Sequence, residues 1–299
     1  MMSLNDLSGV HVALTTPFDA MTGDIDLAAL ETHAAWLLEN GISGLVPNGS
    51  LGEYESMDRD ERRAVVETVA RVTNGRGKLI VGVSAPNWRI AGDHARHAAD
   101  VGADAVMLLP PTNHASTRAE LLDHYRSVAQ HGVPVVVYNN PFSTRTDLTP
   151  EIIAELGELD GITAVKEFSG DVRRIAEIAE RSPHLQVLCG ADDLALESAV
   201  MGATGWIGGF TGALPRETIR LFELGRLGDV AAALPLYRSL LPLLRWDSSP
   251  RFVEAIKYAI DLLGLSAGGA PRPPRRILDE LDRELVTRQL QNARGAIGA

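Results

Sequence analysis

Short apolar runs alternate with amphipathic segments along most of the chain. Val, Ile and Leu dominate most of the eight runs, and Gly, Pro or Asn tends to follow them, which is typical of strands buried on both faces. We predict strands at Val10–Thr15, Gly44–Pro47, Leu79–Val83, Ala105–Leu109, Pro134–Tyr138, Ile162–Lys166, Gln186–Cys189 and Gly205–Gly208. Between them, helical spacing predicts helices at Leu27–Glu39, Arg59–Val72, Arg89–Val101, Arg118–His131 and Val172–Arg181.

Residues at the predicted helix starts fit those boundaries. Asp58 is followed three residues later by Glu61, as in a capping box, and Thr117 precedes another predicted helix. Pro150 suits the first turn of a helix, where its missing N–H has no cost. These residues therefore support the alternation of strands and helices.

The spacing of these elements indicates the fold class, α/β. Eight strand–helix units within about 210 residues match a (β/α)₈ TIM barrel. The competing architecture, a doubly wound open sheet, normally has a Gly-rich phosphate turn after its first strand, and Val10–Pro17 has none. We therefore predict the barrel.

The chain continues well beyond the eighth predicted strand. Helical patterns occur at Pro215–Leu227, Asp229–Arg245 and Pro250–Leu263, and Ala267–Pro274 is rich in Gly and Pro. We predict that residues 1–225 form the barrel and that residues 226–299 form a C-terminal helical extension, packed on the barrel or on a partner subunit.

Composition and charge exclude several classes of protein. Of the 299 residues, 45% are hydrophobic, which is enough for a large core, and the net charge is −11, which argues against binding to nucleic acid or an anionic membrane. The one cysteine, Cys189, excludes an intrachain disulfide framework. No apolar stretch approaches the length of a membrane span, and the N-terminus does not resemble a signal peptide. We expect a cytoplasmic protein that binds a small molecule.

Lysines are few enough to be considered one by one. Lys78 begins a predicted strand, and therefore lies at the end of the barrel away from catalytic loops. Lys257 lies in a predicted helix, where we expect an exposed or snorkelling side chain. Lys166 differs from both because it ends a strand, at the rim where barrel enzymes have their active sites.

Lys166 is the candidate nucleophile. Alternation along its strand places it on the same face as Ile162 and Ala164, and if that face is the barrel interior, the amine points into the mouth. Burial favours the uncharged form of an amine, which attacks carbonyl groups to form a Schiff base. The alternative is a structural ion pair, with Glu167 or another nearby carboxylate.

Two further features are expected at the same rim. Tyr138 ends the preceding strand, and a phenol there can carry protons to and from a carbinolamine, although it could equally be an ordinary strand tyrosine. The loop Pro47–Glu53 follows the second strand, and its glycines allow backbone N–H groups to converge on an anion beside the Ser50 hydroxyl. Such a loop could also be only a tight turn.

No metal site is expected. His94 and His97 share one face of a predicted helix, but no His-x-His follows the first strand, as a metal-dependent barrel hydrolase would require. Asp192 and Asp193 are expected to cap a helix rather than to bind metal.

With these features, the chain resembles the dihydrodipicolinate synthase / N-acetylneuraminate lyase family of class I, pyruvate-type aldolases over nearly its whole length. The resemblance lies in Thr16-Pro17-Phe18, Gly49-Ser50-Leu51-Gly52-Glu53 (in the family Gly-[Thr/Ser]-Thr-Gly-Glu), Tyr138-Asn139-Asn140-Pro141, Val165-Lys166-Glu167 with Ser169-Gly170-Asp171, and Gly190-Ala191-Asp192-Asp193. It implies a (β/α)₈ barrel with C-terminal helices, a homotetramer built as a dimer of dimers, and no metal or organic cofactor.

The resemblance also implies roles for matching residues. Lys166 would form the imine and Tyr138 would be the proton relay. The carboxylate of a 2-oxo acid would bind to Ser50 and the backbone amide of Leu51 in the loop that Gly49 begins, and the backbone carbonyls of Gly190 and Ile207 would line the pocket.

Three positions depart from the family pattern. Leu51 replaces a hydroxyl residue, usually threonine, and Thr112 lies where many members have a relay tyrosine that enters a neighbouring subunit's site. Ser143 occupies the position of an arginine that in the synthases meets the second substrate's carboxylate, with Arg145 two residues later as its possible replacement. These departures argue against the lysine-biosynthesis synthase.

We therefore expect a Schiff-base lyase that acts on a 2-oxo acid, by aldol cleavage or condensation or by dehydration of a 2-keto-3-deoxy sugar acid or related compound. One alternative is 4-hydroxy-tetrahydrodipicolinate (dihydrodipicolinate) synthase. Another, of a different class, is a non-catalytic barrel that binds 2-oxo acids as a sensor or scaffold.

Overall fold

Eight parallel strands close into a barrel in the computed structural model, which describes residues 6–265 and 267–295. The strands are β1 (Gly9–Ala13), β2 (Gly44–Val46), β3 (Lys78–Gly82), β4 (Ala105–Leu108), β5 (Val135–Asn139), β6 (Ile162–Glu167), β7 (Gln186–Cys189) and β8 (Gly205–Gly208). Each strand pairs with its neighbour in the chain, and pairing of β1 with β8 closes the barrel. The predicted fold class is confirmed, with strand limits that differ by at most one or two residues from those expected.

Helices cover the outside of the barrel and continue past its last strand. Their bounds are α1 (Leu27–Glu39), α2 (Arg59–Thr73), α3 (Trp88–Asp100), α4 (Arg118–Ala129), α5 (Pro150–Gly157), α6 (Arg173–Arg181), α7 (Ala195–Val200), α8 (Pro215–Arg226), α9 (Val230–Leu244), α10 (Phe252–Leu262) and α11 (Glu280–Gly295). Asp58 and Thr117 each form the complete capping box at the start of their helices, with Glu61 and Glu120 as the reciprocal partners. Pro150 begins α5, as expected.

Alternation along the strands divides the apolar residues into two cores. In β6, Val165 packs in the core between the strands and the surrounding helices, whereas Ala164 belongs to the core inside the barrel. The interior core continues through Phe210 and the residues of α8 into α9, α10 and α11. The C-terminal helices are therefore packed on the barrel through the same apolar core that fills its interior.

The environment of Lys257 differs from the expectation. The predicted exposed or snorkelling side chain is wrong, because Lys257 is 1% exposed and its Nζ lies 2.6 Å from Oε1 of Glu53. Nζ also donates to the carbonyl of Ala270 at 3.0 Å and lies 4.6 Å from the centre of the Phe18 ring. Burial lowers the pKa of Lys257, and the charge of Glu53 opposes that effect. This buried pair joins the loop after β2 to α10.

A second ion pair strengthens the same connection. The Arg272 guanidinium, in the segment between α10 and α11, bonds both carboxylate oxygens of Glu61 at the start of α2 and stacks over Phe18 at 4.3 Å. Arg272 also donates its backbone N–H to Glu53 at 2.9 Å. The C-terminal segment is thus tied to the mouth of the barrel by charged groups and not only by apolar packing.

Helix α11 was not predicted from the sequence, although its buried Val286, Leu290 and Ala293 are spaced by three and four residues. Its sequence is otherwise strongly polar, so the apolar stripe is narrow. Among the described residues, no helix is long and apolar enough to cross a membrane.

Replacing Lys257 by Met should destabilise the protein strongly. The substitution leaves the Glu53 carboxylate buried without its cation, and breaking a buried pair on one side costs about 3–5 kcal/mol in the free energy of unfolding. Adding Glu53→Gln should recover part of that loss. Urea unfolding followed by circular dichroism measures both. Arg71→Met is the control, because it breaks an exposed ion pair with Glu31 and should change the midpoint little. Equal midpoints for Lys257→Met and wild type would contradict the importance of this pair.

Candidate active site

A cavity of about 370 Å³ opens at the carboxyl ends of the strands, the end where barrel enzymes carry out their chemistry. Eight of the ten residues singled out from the sequence line it: Gly49, Ser50, Leu51, Tyr138, Ser143, Lys166, Gly190 and Ile207. They come from loops or strand ends that are far apart in the chain, and closure of the barrel brings them together. The sequence analysis therefore located most of one common cavity.

Lys166 and Tyr138 are direct neighbours across two strands. Their Cα atoms are paired in the register between β5 and β6, so their side chains emerge side by side at the rim. The amine of Lys166 lies 4.3 Å from the centre of the Tyr138 ring, and both residues are about 95% buried, at 5% and 4% exposure. The amine is therefore placed in the cavity wall, in contact with the Tyr138 ring.

The ion-pair interpretation of Lys166 is not supported by its surroundings. Glu167 points to the other face of β6, where it accepts hydrogen bonds from the Asn139 amide at 3.0 Å and from the Ser169 backbone N–H. Among the described residues, no carboxylate lies within ion-pair distance of the Lys166 amine. Asp192 and Asp247 are nevertheless close enough to interact with its charge. The amine is therefore left open to the cavity.

The hydroxyl of Tyr138 is held in place. The Asn140 side-chain amide donates to it at 3.0 Å, and the Asn140 side-chain oxygen accepts the backbone N–H of Ser143 at 3.1 Å. Asn140 thus fixes both the phenol and the turn that follows β5. In this hydrogen bond the phenolic oxygen is the acceptor, so its own O–H is not used by Asn140.

The loop after β2 is shaped by close backbone approaches. Asn48 and Glu53 have left-handed conformations, with φ of 59° and 55°, so the chain turns sharply at both ends of the loop. At Gly82 a Cβ atom would lie 2.0 Å from the Asn48 carbonyl oxygen, so only glycine permits the passage of the loop over β3. Thr16 donates to the Gly52 carbonyl at 2.8 Å. These contacts fix the positions of Ser50 and Leu51 at the cavity wall.

Asp192 organises the loops after β7 and β8. Its carboxylate accepts the Trp206 indole N–H at 2.9 Å and the backbone N–H groups of Gly209 and Phe210, the latter at 2.8 Å. The expected function as a helix N-cap is wrong, because Asp192 holds the turn after β8 rather than the helix that follows it. Trp206 and Phe210 are fully buried and belong to the core, whereas Phe142 lines the cavity with 74% of its surface exposed.

Two sequence candidates lie outside this cavity. Thr112 lines a neighbouring, more open cavity of about 690 Å³, which shares Ser50 and Ser143 with the first. Arg145 is exposed and lines neither cavity. The structure therefore does not bring Arg145 together with Lys166.

Several cavity residues come from the C-terminal region and were missed. Asp247, Ser248, Ser249 and Pro250 form the turn between α9 and α10, and Phe252 and Arg275 lie beside it. Arg275 lines both cavities, stacks over Phe252 at 5.5 Å and lies 3.5 Å from Glu254. A polar turn between two predicted helices was visible in the sequence, but nothing there indicated that it faces the barrel mouth.

Comparison with known proteins gives a consistent result. The model of the Dihydrodipicolinate synthetase family matches residues 6–293. A 4-hydroxy-tetrahydrodipicolinate synthase of Methanospirillum hungatei is 35% identical over 286 residues, which cover 94% of this chain and 96% of the relative.

Two solved structures illustrate the likeness in three dimensions. A putative dihydrodipicolinate synthetase from Pseudomonas aeruginosa is 32% identical, with a TM-score of 0.92 over 96% of this chain and 100% of that one. A prophage protein of the dihydrodipicolinic acid synthase family from E. coli K12, solved in complex with pyruvate, is 28% identical, with a TM-score of 0.90 over 96% and 99% of the two chains.

Replacing Gly190 by Ala should disturb the site directly. The added Cβ would meet the Glu167 carbonyl oxygen at 2.8 Å and Cε of Lys166 at 3.1 Å, so the strand end or the lysine must move. We expect a loss of about 1–3 kcal/mol in the free energy of unfolding, measured in urea. Gly295→Ala is the control, since its Cβ would meet nothing within 4 Å. If both variants unfold at the wild-type midpoint, the close approach at Gly190 has no energetic consequence.

Proposed function

The chain belongs to the dihydrodipicolinate synthetase family, whose members are class I lyases and aldolases, and we propose that Lys166 forms a Schiff base with a 2-oxo acid. The observation that best supports this proposal is a buried lysine amine beside a buried tyrosine at the mouth of the barrel. Among the described residues, this amine has no ion-pair partner. The positive imine nitrogen would draw electrons from the neighbouring carbon, which eases cleavage of a C–C or C–O bond. No metal or organic cofactor is needed for this chemistry.

Tyr138 would exchange protons with the carbinolamine that precedes the imine. Formation of the imine requires that the carbonyl oxygen leave as water, and a phenol next to the amine can donate that proton. Its hydrogen bond from Asn140 and its contact with Lys166 support this assignment.

The substrate carboxylate would bind at the loop after β2. Ser50 offers a hydroxyl and the Leu51 position a backbone N–H, and the loop is held rigidly from both ends. Because Leu51 has no hydroxyl, this site has one hydrogen-bond donor fewer than the family pattern. The orientation of the substrate carboxylate would therefore depend more on the backbone N–H. Gly190 and Ile207 would line the pocket with their backbone carbonyls.

The far end of the substrate would lie toward Ser143 and Arg275. Arg275 is the cation that lines both cavities, whereas Arg145 lies outside them, which favours Arg275 as the partner of a distal anionic group. Glu254 balances part of its charge at 3.5 Å. Thr112 would border the entrance through the second cavity.

A homotetramer, built as a dimer of dimers, and a cytoplasmic location stay predictions. The exposed Phe142 ring beside the cavity offers an apolar surface that a neighbouring subunit could cover, which is consistent with an oligomer.

Reductive trapping tests the imine. Incubation with pyruvate and borohydride should add a stable adduct to Lys166, identified by mass spectrometry of the peptide. Lys166→Ala should abolish the adduct. Lys78→Ala, at the opposite end of the barrel, should leave it unchanged. An absent adduct, or one that survives Lys166→Ala, would overturn the proposed function.

A second candidate function is 4-hydroxy-tetrahydrodipicolinate synthase. It is favoured by the names of the relatives, which include the Methanospirillum hungatei protein and a 33% identical protein of Methanopyrus kandleri. The synthase would condense pyruvate with aspartate semialdehyde after the same imine has formed. Ser143 in place of the synthase arginine argues against it, while Arg275 provides a cation in the same cavity.

A panel of substrates separates these functions. We expect turnover of 2-keto-3-deoxy acids, by aldol cleavage or dehydration, to exceed condensation of pyruvate with aspartate semialdehyde by at least about tenfold in kcat/KM, a difference of about 1.4 kcal/mol. Coupled assays for pyruvate release, water elimination and condensation measure the three reactions. Faster condensation would establish the synthase instead. Binding of pyruvate without any turnover would support a sensor.

A further inference from the structure

Asp247 is the carboxylic acid that the C-terminal region places in the cavity. It lies in the turn between α9 and α10, lines the same cavity as Lys166, and keeps part of its surface open. The charges of Lys166 and Asp247 interact, yet the two groups are beyond ion-pair distance. Because both groups line one cavity of about 370 Å³, a substrate bound there would lie near both.

Asp247 and Tyr138 lie on opposite sides of Lys166. Tyr138 approaches Lys166 from β5, on one side of β6. Asp247 lies on the other side, over the ends of β7 and β8, where it accepts the Asp192 backbone N–H at 3.3 Å. Its Oδ1 would be 3.2 Å from a Cβ at Gly209. The lysine therefore has one proton-carrying oxygen on each side.

Asp247 lies beside the buried Asp192 and interacts with its charge, but the two carboxyls are not equivalent. Both oxygens of Asp192 accept N–H groups, from Trp206, Gly209 and Phe210, and burial together with the charge of Asp247 holds the pKa of Asp192 well above its ordinary value. Two neighbouring carboxyls in a buried site share one proton more readily than they both ionise. That proton accordingly resides on Asp192, which leaves Asp247 as the carboxylate on the cavity wall.

We propose that Asp247 is the base that removes a proton from the carbon next to the Lys166 imine and returns it. The C3–H bond breaks, its electron pair forms the C2=C3 bond of the enamine, and the imine nitrogen loses its positive charge. The proton passes to the Asp247 carboxylate, and the reverse step returns it to C3. This assignment rests on the proposed Schiff base. In this assignment Tyr138 exchanges protons with the carbinolamine, and Asp247 exchanges a proton with the carbon next to the imine.

The pKa of Asp247 suits a base that works near neutral pH. Burial raises it to about 7, the charge of Lys166 and the Asp192 N–H oppose the rise, and the charge of Asp193 adds to it. The carboxylate form, which is the active base, is present above that pKa and is lost as the pH falls through it. The rate of proton removal should therefore rise with pH through a limb at about 7.

Exchange of the methyl protons of pyruvate in deuterium oxide measures this step without the natural second substrate. Proton NMR follows the loss of the methyl signal, corrected for exchange without protein. We expect Asp247→Asn to lower the exchange rate by about 100-fold or more and to remove the pH limb. Borohydride trapping of pyruvate on Lys166 should continue in this variant, which shows that it is folded and forms the imine.

Asp193→Asn is the matched control. Asp193 neighbours the same turn through a hydrogen bond from Ser248 at 2.8 Å, but it does not line the cavity. Its exchange rate should stay within about threefold of wild type, with the limb at slightly lower pH because one nearby negative charge is gone.

The outcomes separate the two proposals. Wild-type protein that gives no pyruvate adduct would overturn the proposed function itself. An Asp247→Asn variant that forms the adduct but exchanges protons at the wild-type rate, or keeps the pH limb, would overturn the assignment of Asp247 alone. So would a loss of trapping in that variant, because Asp247 would then serve the imine or the fold.

Discussion

The ion pair between Glu53 and Lys257 is the contact on which the geometry of the site depends, because it crosses from the loop after β2 to the C-terminal helices inside the protein. Both groups are almost completely excluded from water, at 3% and 1% side-chain exposure, so neither can lose its partner without leaving a buried charge. Glu53 also ends the loop that presents Ser50 and Leu51, and Lys257 lies in α10, which follows the turn containing Asp247. One contact therefore sets the distance between the proposed carboxylate site and the C-terminal wall of the cavity.

The site is consequently built from two parts that obey different constraints. Lys166 and Tyr138 are placed by the register of β5 and β6, which the closed barrel and its interior core determine. The turn at Asp247 and the side chains of Phe252 and Arg275 are placed by helices outside the barrel and by buried charges. The first part would supply the proposed imine step, and the second part could change the substrate without moving the lysine.

The sequence predicted the first part well, because strands buried on both faces leave a strong apolar signal and a lysine at such a strand end is conspicuous. The second part was harder to predict from the sequence. Lys257 was expected at the surface because a single cation in a helix usually reaches solvent, yet α10 is buried on most sides and its partner Glu53 lies far away in the chain. Asp247 stands in a polar turn between two helices, and only the packing of α9 and α10 on the barrel directs that turn inward. The polar surface of α11 concealed a narrow apolar stripe.

Asp192 connects the loop after β7 with the loop after β8 and so helps to shape the cavity around the lysine. Its carboxyl accepts the Trp206 indole N–H and two backbone N–H groups, and it is not part of the cavity lining, so it does not meet the substrate directly. Burial and the charge of Asp247 raise the pKa of Asp192 well above its ordinary value, so the proton of the pair stays on Asp192 and Asp247 faces the cavity as the carboxylate. A carboxyl that keeps its proton beside one that does not leaves a single carboxylate in the cavity that Lys166 also lines. That carboxylate is placed by a C-terminal turn, which reaches the mouth of the barrel from outside.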